Sequence, residues 1–274
     1  MINLEPRRLL TALTRSEGEA YCRQKARYRY LGAGVGIATV LGAYRTFVNT
    51  KDPAIVPYLI MDGFWEYWNT QFFAHYVQPG WTVVEVGANL GYFTLLLADL
   101  VGPAGRIIAF EPLSTNFELL RRSIAVNGFA DRVDCQRVAL SNQSGRGAIT
   151  LDPMNYGGGS ILRPSGKGLI TEEIDLRRAD EAITLSGPVC FKIDAEGAEE
   201  IVFEGMAGLL PALSDVRIIM EFEKSRFSDW RKWVSSRRED GFTVSIIGYD
   251  GHARQVETEE LAALPMIELV LERF

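Results

Sequence analysis

Histidine and cysteine are scarce: two and three residues in a chain of 274. Cys22, Cys135 and Cys190 lie far apart, with neither metal-type spacing nor an even-numbered disulfide framework. Cys135 and Cys190 fall in apolar, strand-like runs, so they are expected as buried free thiols, which fits a reducing compartment. No metal is assigned. Basic charge is not in excess either. The formal net charge is -6, and lysine and arginine are dispersed, without the stripe or arm that a nucleic-acid partner needs. The pairs Arg7-Arg8 and Arg237-Arg238 read as solvated helix faces. The most apolar early run, Leu31 to Tyr44, is rich in glycine and shorter than the roughly 20 residues that span a bilayer. Glu5, Arg7 and Arg8 open the chain without an apolar stretch of the signal-peptide kind. These absences predict a cytoplasmic protein with no nucleic-acid partner and no membrane insertion. There is no internal repeat or low-complexity segment.

Hydrophobic residues, at 47%, are abundant enough for a substantial core, which suits one large domain or a domain with an N-terminal extension. Residues 1–79 read as that extension and residues 80–274 as the main domain. Residues 5–30 predict an amphipathic helical stretch, residues 36–50 a hairpin around Gly42, and residues 53–61 a helix. The aromatic segment 63–78 is a candidate lid, core stripe or subunit contact, and it is compatible with a homodimer. After Gly80, apolar runs of strand length alternate with amphipathic helical segments. Strands are expected at 82–86, 106–110, 133–140, 189–193 and 216–222, and two more at 242–247 and 266–271 as an antiparallel end. Such alternation implies a doubly wound α/β fold with parallel pairing. Residues 141–180 read as irregular, with Gly157-Gly158-Gly159 as a mobile loop over substrate.

The most informative segment is Val83-Val84-Glu85-Val86-Gly87-Ala88-Asn89-Leu90-Gly91-Tyr92. A buried strand ends in a carboxylate, turns at glycine and enters a helix, whose first N–H groups face outward. In dinucleotide enzymes this turn cradles a pyrophosphate. Glu85 would repel phosphate, so a ligand with a cationic amino-acid end fits better, and S-adenosylmethionine is such a ligand. Glu111 lies about 20 residues further on, where an acid takes ribose hydroxyls. The run LGAGVG at 31–36 lacks the preceding strand and the distant acid, and is set aside.

The blocks VVEVGANLGYFTLLLA, IIAFEPLSTNFELLRRSIAVNG and FKIDAEGAEEIVFEGM, with RTFVNTKDPAIVPYLIMDGFWE upstream, resemble the FkbM family of S-adenosylmethionine-dependent methyltransferases over residues 45–224. The resemblance implies a Rossmann-like class I methyltransferase fold, with a seven-stranded, mostly parallel sheet and one antiparallel strand. It also implies O-methylation of a small-molecule or sugar hydroxyl. By resemblance, Glu85, Gly87, Asn89 and Gly91 fall on the loop that holds the methionine side of the cofactor. Glu111 falls on the ribose acid, and Asp194 and Glu196 on the acidic pair of the KIDxEG block. Residues 174–185 depart from the family pattern.

Ligands of open α/β sheets bind beyond the carboxyl ends of strands, near the switch in strand order. Asp194 and Glu196 are therefore expected to face the transferred methyl, one holding the cofactor's ammonium and one accepting a proton. Glu221, a third candidate catalytic acid, and Glu223 end the next strand, where they are expected to line the acceptor pocket, with a divalent ion held together with Asp194 as the lesser alternative. Glu66 and His75 are candidate substrate-side residues from the extension. A nicotinamide-dependent oxidoreductase, a non-catalytic binding module and an N-methyltransferase remain the alternatives.

Overall fold

The computed structural model describes residues 6–274, so Glu5 lies outside the described residues. Two helices come first, α1 (Pro6–Ala12) and α2 (Arg15–Lys25). Thr14 closes a capping box with Glu17, which satisfies the first free N–H groups of α2. The expected helix ends at Lys25. Arg27–Gly32 is a strand, β1, paired antiparallel with β2 (Val35–Val40), which in turn pairs with β3 (Tyr44–Asn49). β1 reads in sequence as the end of a helix although its Arg27-Tyr28-Arg29-Tyr30 run alternates charged and aromatic residues; it is an edge strand with both faces exposed, so its burial shows no alternation. The LGAGVG run is the turn of this hairpin.

Next come α3 (Val56–Met61) and α4 (Tyr67–Tyr76). Most of the aromatic segment is core: Tyr67, Phe72 and Phe73 are at most 2% exposed. Buried inward, they offer no subunit face. Arg7 is not a solvated charge, since its guanidinium donates to the carbonyls of Val77 and Leu100 at the C-terminal ends of two helical segments. Arg237 likewise packs over the rings of Phe203 and Trp233.

The main domain runs β4 (Thr82–Val86), α5 (Tyr92–Val101), β5 (Arg106–Phe110), α6 (Ser114–Val126) and β6 (Val133–Gln136). The short strand β7 (Ala139–Leu140) then leaves the main sheet, so the single strand expected over 133–140 is broken at Arg137-Val138. Three more strands follow where irregular structure was expected: β8 (Gly145–Asp152), β9 (Asn155–Ser160) and β10 (Ile170–Arg177). They form a four-stranded sheet in the order β7-β10-β8-β9. Its strands are polar because only one face is dry: Ile149, Leu151, Ile174 and Leu176 pack with Leu113 and Ala139. Gly157-Gly158-Gly159 belongs to β9 and not to a loop.

The chain continues through α7 (Ala179–Ala182), β11 (Val189–Ile193), α8 (Glu199–Glu204), β12 (Val216–Phe222), α9 (Trp230–Glu239), β13 (Thr243–Ile247), β14 (Ala253–Gln255), α10 (Thr258–Ala263) and β15 (Ile267–Arg273). The large sheet has eight strands in the order β14-β13-β15-β12-β11-β4-β5-β6. Strands β12, β11, β4, β5 and β6 are mutually parallel, and β15 inserts antiparallel between β12 and β13. This is the expected seven-stranded arrangement with the edge strand β14 added. Burial on both faces explains the continuous apolar runs: every residue of β11 is buried. The order reverses between β4 and β11, which places the switch point there.

One packing contact yields a prediction. An added Cβ on Gly18, within α2, would lie 1.7 Å from the Tyr67 hydroxyl. Intrinsic helix propensity alone would make Gly18→Ala stabilising by about 1 kcal/mol. Overpacking against a buried ring reverses the sign, and a loss of about 1–3 kcal/mol is expected in denaturant melts. A gain in stability would show that α2 does not pack on α4 as described.

Candidate active site

Beyond the carboxyl ends of β4, β5, β11 and β12 lies a cavity of about 480 Å³, within the range of small-molecule sites. The turn after β4 forms one wall. The Gly87 and Ala88 N–H groups both donate to the Phe110 carbonyl, which ties the turn to β5. Gly87 has φ of +81°, and a Cβ there would sit 1.9 Å from the Asp194 carbonyl oxygen. Only glycine permits this approach of the β4 turn to the end of β11. Gly91 sits just before α5 and does not line the cavity.

Glu111, the first residue after β5, is 4% exposed, and its carboxylate meets the cavity. It accepts from the Asn89 N–H at 2.8 Å and from the Leu113 N–H at 2.9 Å. Burial pushes its carboxyl up to about 7, against the pull of these two donors. Asn89 is held in the left-handed region and accepts a hydrogen bond from the Asn116 amide at 3.1 Å.

The other end of the cavity is acidic. Asp194 follows β11 and meets the Lys192 ammonium at 3.3 Å. The Arg226 guanidinium gathers three carboxylates: Glu221, Glu223 at 2.8 Å and Glu196 at 3.8 Å. Burial, reinforced by Asp194, pushes Glu196 up to about 7 and Glu221 up to about 8, while Arg226 opposes both shifts. Glu66, preceding α4, completes this wall. Five non-glycine residues have positive φ among the described residues. Ala33 and Leu41 lie in hairpin turns, whereas Glu66, Asn89 and Glu196 all line the cavity. Backbone strain of about 1–3 kcal/mol per residue thus collects where function is expected.

The structure therefore brings together Gly87, Asn89, Glu111, Asp194, Glu196, Glu221 and Glu66. It does not bring Glu85, Gly91 or His75 to the cavity wall. Glu85 is 1% exposed and lies behind the wall, accepting from the Thr94 hydroxyl at 2.6 Å. Burial raises it to about 7, and Lys192 and Thr94 oppose the shift. His75 is exposed on α4, its ring 5.3 Å from that of His252. Among the described residues, no group of three or more His, Cys, Asp or Glu has the arrangement to hold a metal ion.

Sequence reading missed Lys192 and Arg226. Burial opposes the charge on Lys192, but Asp194, Glu85, Glu268 and Glu66 together hold its ammonium protonated. The only sign of this was a lysine inside an otherwise apolar strand, where a charge has to be paired. Arg226 sits on a short 3₁₀ turn that no periodicity marks.

No helix among the described residues is long and apolar enough to cross a membrane. Residues 85–244 match the family described as the methyltransferase FkbM domain. A segment of 114 residues is 32% identical to methyltransferase sdnD of Sordaria araneosa, covering 42% of this chain and 43% of that protein. A segment of 77 residues is 38% identical to 31-O-demethyl-FK506 methyltransferase FkbM of Streptomyces tacrolimicus, covering 28% of each. The matched segments thus span less than half the length of these relatives. Among solved structures, a putative rRNA methylase from Clostridium thermocellum aligns with a TM-score of 0.46 and 14% identity over 75% of this chain and 93% of that one. The family match takes in more than half of the chain, from the end of β4 into β13, and this protein belongs to the FkbM family of methyltransferases.

Proposed function

We propose that this chain is an S-adenosylmethionine-dependent methyltransferase acting on a hydroxyl of a small-molecule or glycan acceptor in the cytoplasm. One observation carries the reading: the Gly87 turn, which no side chain could enter, and the buried Glu111 carboxylate share one cavity with an acidic wall. When bound, S-adenosylmethionine supplies an electrophilic methyl group on a cationic sulfur.

The residues fit that cofactor. Glu111 can accept two hydrogen bonds from a vicinal diol while keeping its two backbone donors, since a carboxylate offers about four acceptor positions. Gly87 and Asn89 keep the turn open for the amino-acid portion. Asp194 supplies negative charge for an ammonium, and Glu85, behind the wall, helps set the field at that turn. Arg226 fixes Glu196 and Glu221, so the acids beside the acceptor keep their positions without mutual repulsion. Trp65, Tyr58, Ile161 and Met266 give the cavity apolar surface that excludes water and seats the body of an acceptor. So many carboxylates disfavour a phosphate-bearing acceptor, which argues against nucleic acid. Positioning of the acceptor for in-line attack supplies much of the rate.

Titration calorimetry with S-adenosylmethionine, S-adenosylhomocysteine and NAD tests this reading. Micromolar binding of both adenosyl ligands and none of NAD is expected. A chain that binds NAD, or binds neither adenosyl ligand, is not this enzyme. Hydroxyl and amine acceptors supplied with labelled cofactor then separate O- from N-methylation.

A further inference from the structure

Four of the five carboxylates that line the cavity are already committed to a cation or to backbone donors. Asp194 meets Lys192, Glu196 and Glu221 meet Arg226, and Glu111 accepts two N–H groups. Glu66 differs, for no ion pair reaches it among the described residues. Among the described residues its Oε2 accepts only from the Asn69 amide, at 2.9 Å. The same amide nitrogen donates to Glu268 Oε1 at 3.2 Å. Two carboxyl groups from distant parts of the chain thus share one donor. Asn69 itself is 3% exposed, and its Oδ1 has no donor among the described residues. The register of β15 against β12 places Glu268 opposite Glu221, which turns it toward the same wall.

We infer that Glu66 and Glu268, bridged by Asn69, form a carboxyl pair that takes the proton of the acceptor hydroxyl, with Glu66 as the catalytic base and Glu268 as its positioning residue. This rests on the methyltransferase reading and assigns it a base. The hydroxyl proton passes to Glu66, and the O–H electron pair stays on the acceptor oxygen. That oxygen forms the bond to the methyl carbon as the carbon–sulfur pair leaves with sulfur. A base for this task needs an affinity for protons near neutral pH and no permanent cation beside it. Burial raises both carboxyls; Asp194 adds to the rise of Glu66, and Glu66 in turn raises Glu268, as for like charges that cannot both ionise cheaply at close range. The charged groups that face the pair are Asp194 and Glu221, which strengthen the effect, and Lys192, which moderates it. The left-handed backbone at Glu66, φ +40° and ψ 65°, is retained although an ordinary helix start would avoid it.

The test follows the carboxyl carbons of the full chain by NMR after labelling with 13C-glutamate, Glu66→Gln serving for assignment. In the parent, Glu66 is expected to titrate above the ordinary carboxylate range and in two coupled steps. In Glu268→Gln the curve should collapse to one step, with its midpoint lowered by about one pH unit or more. In Asn69→Ser, which keeps Glu268 but shortens the tether, the midpoint should move as well. S-adenosylhomocysteine binding within about threefold of the parent would show that the site remains folded. A parent Glu66 that titrates in one step at ordinary carboxylate pH overturns the pair without recourse to any variant. So does a Glu66 curve unchanged by Glu268→Gln. Failure of the parent to bind S-adenosylhomocysteine sinks the methyltransferase reading, and with it the proton-accepting role, whatever the titration shows.

Discussion

A Gly87→Ala chain is expected to lose S-adenosylhomocysteine binding by more than about 100-fold, or roughly 3 kcal/mol, and to melt well below the parent. The added Cβ would sit 1.9 Å from the Asp194 carbonyl oxygen and 3.0 Å from its carbonyl carbon. Both are backbone atoms at the end of a central strand, so no rotamer change relieves the clash. The φ of +81° adds a second penalty for any residue with a Cβ. Relief requires the turn to part from β11, which moves Asp194, Asn89 and the Asn89 N–H that Glu111 holds. A stability loss of about 3–5 kcal/mol is expected, in the upper range for single substitutions. Thermal melting and calorimetry check the two effects separately. Parent-like binding in Gly87→Ala would mean that the turn and β11 do not meet at the ligand.

Glu111→Gln should flatten the pH dependence of stability and weaken binding. The Glu111 carboxyl rises from an ordinary value of 4.5 to about 7 on folding. Between those values the folded chain holds a proton that the unfolded chain has released. The stability this contributes is complete below about pH 4.5 and is lost as pH rises through about 7. A shift of that size corresponds to about 3 kcal/mol. Glu85, Glu196 and Glu221 are raised in the same direction, so the ligand-free parent should melt at progressively lower temperature between pH 5 and pH 8. Glutamine removes this titration, but its NH2 faces one of the two backbone N–H donors that the carboxyl oxygens accept, Asn89 and Leu113. The variant should therefore be less stable than the parent at pH 5, by about 1–3 kcal/mol, with the gap closing as the parent loses stability toward pH 8. Binding of S-adenosylhomocysteine at pH 8 should fall about 30-fold, because the amide has lost the charge and one of the two acceptor oxygens. A variant that keeps full affinity would remove Glu111 from the ribose role.

Where patterns are local, the sequence was transparent. The apolar runs of β4, β5, β11 and β12 are buried on both faces, and continuous hydrophobicity at strand length reports that directly. Glu111 was found by its distance from the glycine turn, a distance set by one strand–helix–strand unit. The second sheet was opaque for the converse reason. β8, β9 and β10 bury few residues and carry many polar ones, so composition resembled a loop although the pairing is regular. Arg7 and Arg237 were misread because an arginine stem that covers a ring or caps a helix end has the same sequence signature as one in solvent.

By itself, then, the chain's order of residues determined the doubly wound sheet, the glycine turn and the acids at strand ends, since each depends on residues close in sequence. Tertiary structure alone decided the charge balance of the cavity. Lys192, Arg226, Asn69 and Glu268 come from four separate elements; Lys192 and Arg226 also meet carboxylates close in sequence, but Arg226 reaches back to Glu196 and Asn69 reaches Glu268, 199 positions away. Burial and Coulomb interactions act through space, and no spacing along the chain encodes which charges a fold will bring within a few ångströms of one another.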